Sequence, residues 1–290
     1  MKINFEQKIK ELPIWSGKII IKSLDGGITN QNFLVSDQNK KVVVRLGKDI
    51  LEHHILRSNE LISSKAAYDV GIGPKIIFNS EGVLVLEYIE SKTMSDQDVR
   101  ENIDRIIPLI KKVHFEIPKN LFGPAMIFWV FHVVRNYCIF LRKNNSQHIK
   151  ILNKLISCNN LLEKISSPHN IVFSHNDLLP ANFLDDGSKL WLIDWEYSGF
   201  NNPLFDLGGL ASNNNFSEND EIYLLENYFE KKPDALLIKQ YNAMKCASLL
   251  RETMWSMVSE ITSEIDFNYA EYTEENLQKF ENSFKQFDTI

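Results

Sequence analysis

Cysteine is scarce in this chain of 290 residues. There are 3, Cys138, Cys158 and Cys246, far apart and with no CxxC pair. So sparse and odd a count excludes a disulfide framework and a thiolate metal site. It fits small buried hydrophobes in a reducing compartment. Long apolar runs are missing too: the most apolar, MIFWVFHVV at residues 126–134, is closed by Arg135 and Asn136 and is too short to span a bilayer. There is no surplus of positive charge, since 32 Lys plus Arg stand against 38 Asp plus Glu for a net of −6. Proteins that grip phosphate backbones normally show a basic excess, so nucleic acid is not the expected partner. The opening MKINFEQKIKELP mixes charge throughout, unlike a signal peptide. A cytoplasmic location is expected. Neither Gly nor Pro occurs after Pro233, which points to long helices in the last stretch. What is present is an ordinary folded composition, 44% apolar and 24% charged, without repeats or low-complexity segments.

The pattern divides the chain unequally. Residues 18–24 (KIIIKSL), 32–36 (NFLVS) and 41–46 (KVVVRL) are β-rich, the first two flanking a Gly26-Gly27 turn. A helix is expected over 51–70, then a hairpin from 76–78 and 83–88, giving the order β-β-β-α-β-β. From Ser95 the spacing becomes helical, over 98–115, 125–142 and 148–165, with one β-like island at 171–194. The expectation is an α+β molecule of two lobes. Residues 1–90 form a small sheet-rich lobe that binds nucleotide, and residues 91–290 form a large helical lobe that carries catalysis and the acceptor. The joint falls near residues 87–91.

The densest chemistry lies in SHNDLLPANFLDDGSKLWLIDWEYSG, residues 174–199. Asp177 and Asn182 stand five apart across a loop containing Pro180. The Asp186-Gly187 turn then makes a hairpin that returns Asp194 to the same end. A loop carboxylate, a loop carboxamide and a second carboxylate after a hairpin are what phosphoryl transfer from ATP requires. Hard Mg²⁺ takes oxygen ligands, here Asn182 and Asp194, while Asp177 accepts the proton of the attacking hydroxyl. The spacing equals the kinase string H-x-D-L-x-x-x-N followed by an Asp-initiated triad, Asp194-Trp195-Glu196. His175 is expected to order the loop and Asp206 to bond its backbone.

The HNDLLPANF segment followed by LIDWEYSGFNNPLFDLGGL resembles the choline/ethanolamine kinase family, within the aminoglycoside-phosphotransferase-like kinases. DGGITNQN at 25–32, Val44-Arg45 and the tail from 249 to 272 share the likeness. The resemblance implies a protein-kinase-like fold with an antiparallel N-lobe sheet. It implies transfer of the γ-phosphoryl of ATP to the hydroxyl of choline or a related small amino alcohol. Kinases of ethanolamine, thiamine, an aminoglycoside or a sugar, and a non-catalytic nucleotide-binding module, are the alternatives. On the nucleotide side, Gly27, Thr29 and Asn30 would bring backbone N–H groups to phosphates, although a Gly-Gly hairpin alone is an ordinary turn. The resemblance gives Arg45 the phosphate-binding role, with Glu60 as its orienting partner. Glu87, Tyr88 and Ile89 would form the adenine connector. Around the acceptor, Asp177 and Glu196 are joined by Tyr197, Trp255 and Tyr272, since a quaternary ammonium is recognised by aromatic faces. Two positions depart from the family pattern, Val258 where a second Trp often stands and Asn213 where an acidic residue often stands. A homodimer is compatible with the sequence.

Overall fold

The computed structural model describes residues 5–24, 30–167 and 170–289. The N-terminal part has helix α1 (Phe5–Lys10), strands β1 (Ile20–Leu24), β2 (Gln31–Ser36) and β3 (Lys41–Leu46), helix α2 (Arg57–Asp69), then strands β4 (Ile76–Ser80) and β5 (Val83–Glu87). The strands form one antiparallel sheet in the order β1-β2-β3-β5-β4. The two-residue period of β3 sends Val42 and Val44 to one face. There they meet Val35 and Phe33 across β2, and Val44 meets Val85 on β5. With Ile9 and Leu12 these side chains make a small apolar core. Arg45, one residue out of phase, faces the opposite side, toward the cleft between the lobes. Helix α2 does not join that core: its Ala66 and Ala67 pack into the large C-terminal one, so the divide between cores falls inside the first ninety residues.

After a short β6 (Lys92–Thr93) come α3 (Asp96–Glu101), α4 (Ile103–Phe115), α5 (Ile117–Asn120), α6 (Val130–Lys143) and α7 (Ile149–Ile165). Strands β7 (Val172–Ser174), β8 (Phe183–Asp185), β9 (Leu190–Leu192) and β10 (Gly199–Asn201) follow, then α8 (Pro203–Asn213), α9 (Glu218–Phe229), α10 (Ala235–Thr262) and α11 (Tyr269–Asp288). The 28-residue α10 is central, packed against α6, α7, α8 and α11. Gly208 lets α8 lie against it, because a Cβ there would come within 2.8 Å of the Lys245 backbone. Among the described residues no helix is long and apolar enough to cross a membrane.

Three expected helices differ at their ends. The stretch 51–53 is a separate 3₁₀ turn closed by left-handed His54, so α2 begins only at Arg57. The expected 98–115 helix is two: a Ser95–Asp98 capping box starts α3, and Asn102, at φ −115°, breaks the run before α4. The residues before Val130 are extended, with Phe128 N–H bonded to the Phe200 carbonyl.

Candidate active site

The catalytic loop is built by bonds to its backbone. Asn176 sits at φ 65°, a conformation that Asn tolerates better than most residues. Asp206, on the first turn of α8, holds it there by accepting from His175 N at 2.9 Å and Asn176 N at 2.7 Å. The Asp206 oxygen that accepts from His175 N also meets His114 Nε2 at 3.0 Å. His175 is buried, and burial lowers its pKa and keeps it neutral. Its Nε2 lies 2.9 Å from the Ile193 carbonyl, which can only accept, so Nε2 carries the proton. The catalytic loop is thereby tied to the residue preceding Asp194.

A 3₁₀ turn over Pro180–Asn182 aligns the carboxamide. Asn182 Nδ2 donates to the Asp177 carbonyl at 2.8 Å, so its amide N–H points back into the loop and its oxygen remains for a ligand. The Asn182 carbonyl accepts from Ile193 N at 3.0 Å, fixing Asn182 beside Asp194. Asp194 itself is left-handed at φ 69°. An Asp held in that region at a cleft is the kind of strain functional sites store. Its Oδ1 accepts from Arg45 at 2.8 Å, and this positive neighbour holds its carboxyl below the usual range despite burial.

Behind Asp194 lies a buried ionic cluster. Arg45 Nε is 3.1 Å from Glu60 Oε1, and Glu60 Oε2 is 2.6 Å from Arg57. Glu196 Oε2 closes the ring: it accepts from Arg57 at 3.0 Å and from Asn30 Nδ2 at 2.8 Å. Burial and the adjacent Asp194 push Glu196 up, against the pull of both arginines. Glu196, expected among the acceptor contacts, pairs in the structure with Arg57 and Arg45. Arg57 was not anticipated, although its place three residues before Glu60 was a visible signal. Gly27 and Thr29 lie outside the described residues.

The inter-lobe cleft, about 310 Å³, is lined by Val43, Arg45, Leu86, Glu87, Tyr88, Ile89, Leu184, Asn182 and Asp194. The expected connector and the expected metal ligands therefore open onto one cavity. Apolar Val43 and Leu184 line it together, as a flat heteroaromatic base requires. Among the described residues no group of three His, Cys, Asp or Glu side chains could hold a metal by itself. Two hard oxygen donors, Asn182 and Asp194, lining this cleft nevertheless fit the donor set Mg²⁺ takes when a nucleotide supplies the rest.

On the far side of Asp177 the three expected aromatics come together. Trp255 Nε1 donates to the Tyr197 hydroxyl at 2.9 Å, and the Trp255 ring packs against His53, Tyr269 and Tyr272. Two charged residues there were missed by sequence reasoning. Arg251 is 4% exposed and lies over the Tyr197 ring at 4.2 Å. Its NH1 donates to Glu252 at 2.8 Å and is 3.8 Å from Asp177 Oδ1, while Tyr272 OH donates to the other Glu252 oxygen at 2.8 Å. Asp177, Asn213, Ser248, Arg251 and Glu252 line one recess. Val258 is fully buried among the core side chains and faces no cleft. Burial raises the carboxyl of Asp177 well above its usual value, opposed by Arg251 and reinforced by Glu252.

The comparisons agree with this geometry. The family described as choline/ethanolamine kinase matches residues 21–281. Protein LicA of Haemophilus influenzae is 26% identical over 273 residues, covering 90% of this chain and 78% of that one. A probable ethanolamine kinase of Arabidopsis thaliana is 27% identical, covering 87% and 76%. The crystal structure of a choline/ethanolamine kinase family protein from Mesorhizobium loti superposes with a TM-score of 0.79 at 24% identity, covering 98% and 95%. An aminoglycoside phosphotransferase complex, at a TM-score of 0.66 and 13% identity, shares the fold. With the catalytic loop, the hairpin and a family match over nearly its whole length, this chain belongs to the choline/ethanolamine kinase family.

Proposed function

We propose that the protein transfers the γ-phosphoryl group of ATP to the hydroxyl of choline, ethanolamine or a related small amino alcohol. One observation carries the reading. Asp177, with its raised pKa, lines a small recess with Arg251 and Glu252, while Asn182 of the same loop lines the nucleotide cleft with Asp194. A carboxylate there can orient an acceptor hydroxyl and take its proton. Arg45, fixed by Glu60 and Asp194, steadies phosphate oxygens. Asn182 and Asp194 would hold Mg²⁺, which when bound neutralises charge on the phosphates. Two carboxylates against one arginine leave the acceptor recess net negative, which attracts a small cation. Three buried, unbonded cysteines support a reducing, cytoplasmic setting. The test is ADP release from ATP and Mg²⁺ with choline, ethanolamine, thiamine or kanamycin as acceptor. Turnover with an amino alcohol and none with thiamine or kanamycin is expected. Turnover confined to kanamycin or thiamine would overturn the assignment.

A further inference from the structure

Two of the three aromatic groups near Asp177, Tyr197 and Trp255, are buried and engaged by the protein's own side chains, while Tyr272 is half-buried. A quaternary ammonium has no N–H and is held by open ring faces. One face of Tyr197 carries the Arg251 guanidinium at 4.2 Å, and Tyr197 is only 4% exposed. Trp255 is 3% exposed, its N–H committed to Tyr197 and its ring in contact with His53, Tyr269 and Tyr272. What the recess does offer is a carboxylate. Glu252 keeps 16% of its side chain accessible and is held from two directions, by Arg251 NH1 on one oxygen and Tyr272 OH on the other. Each carboxylate oxygen has a further lone pair, so both clamps can stay in place while a ligand N–H is accepted. Glu252 and Asp177 lie 2.8 and 3.8 Å from the same Arg251 nitrogen. Two carboxylates so close can take the two ends of a short amino alcohol, Asp177 the hydroxyl and Glu252 the ammonium.

We propose that Glu252, positioned by Arg251, selects an acceptor whose nitrogen carries N–H groups, a primary ammonium above all, over a quaternary one. The inference rests on the amino-alcohol kinase reading and narrows its substrate class. Arg251 serves twice: it fixes the Glu252 carboxylate, and it fills the Tyr197 face that would otherwise receive a trimethylammonium group. Tyr272 is a positioning residue in the same sense, since it orients Glu252 from the other oxygen.

The test begins with the unaltered protein. With saturating MgATP, kcat/KM is measured for ethanolamine and its N-methyl, N,N-dimethyl and N,N,N-trimethyl (choline) forms. A charge-assisted hydrogen bond predicts at most small losses while an N–H remains and the main fall at choline, with ethanolamine favoured over choline by roughly 10- to 100-fold. The Glu252→Gln variant keeps the shape of the side chain. It should lose about that factor with ethanolamine, mostly through KM, change far less with choline, and leave the KM for ATP and the melting temperature close to wild type. Choline turned over as well as ethanolamine by the wild type overturns the inference and leaves the kinase reading intact. So does an equal loss on both substrates in Glu252→Gln. ADP release with none of the four alcohols overturns the kinase reading and this inference together.

Discussion

At the scale of single residues, the site is a set of carboxylates whose neighbours give each a different character. Asp194 faces Arg45 and stays ionised, ready for a cation. Asp177 is buried, and burial raises its pKa, with Arg251 opposing and Glu252 reinforcing the rise, which suits a base that takes a proton. The sign follows directly: activity needs the carboxylate form, so the rate falls as pH drops through the raised pKa. The acid limb of kcat/KM for the acceptor should therefore lie above the ordinary Asp value of 3.8. A profile flat down to that value would contradict the role. Asp177→Asn should lower kcat by roughly 10²- to 10⁴-fold with little change in nucleotide binding, measured by steady-state kinetics beside calorimetric titration with MgATP. Asp177, Asn182 and Asp194 were legible in the sequence because the loop and hairpin that join them are local. Arg57 and Glu196 were not read as partners, since they meet across a separation of 139 residues. Arg251 and Glu252 are neighbouring charges on a long helix, and only the approach of α10 to Asp177 brings them to the site.

Elements decide how firmly those residues are held. Helix α8 is buried along most of its length and has two duties. Its first turn supplies Asp206 to the catalytic-loop backbone, and its Gly208 allows contact with α10. Adding a methyl group at Gly208 would press on the backbone of Lys245, which cannot rotate away. Gly208→Ala should destabilise the protein by about 1–3 kcal/mol. It should also disturb the acceptor more than ATP, because α10 carries Arg251, Glu252 and Trp255. Denaturant melts together with the two KM values check this; an unchanged melt would mean that the helices separate freely. The succession of strands and helix in the N-terminal part, the place of Arg45 on the third strand and the long C-terminal helices were readable from periodicity and from the lack of Gly and Pro. Helix ends were less so. Asn102 and His54 break helices through local backbone angles that apolar spacing does not register.

At the scale of the molecule, the proposed nucleotide cleft and the proposed acceptor recess are lined by different residues of one loop. The small core holds the sheet that presents Arg45, the large core holds the loop and α10, and α2 bridges the division by packing into the large core while Glu60 and Arg57 reach the phosphate side. Arg45 joins Asp194 across the cleft, so opening and closing of the lobes is coupled to the residue that would bind the cation. Replacing Asp194 with Ala removes one carboxylate partner of Arg45 as well as a proposed Mg²⁺ ligand. MgATP binding should weaken and turnover should vanish, while circular dichroism stays native. The central claim, phosphoryl transfer to an amino alcohol with Asp177 as the base, is tested most directly by phosphorus NMR of a reaction containing ATP, Mg²⁺ and ethanolamine. The account predicts a new phosphomonoester signal growing in step with ADP in the wild type, and neither signal with Asp177→Asn despite intact nucleotide binding. A phosphomonoester formed equally well by the Asn variant, or ADP accumulating with free phosphate and no ester, would contradict it.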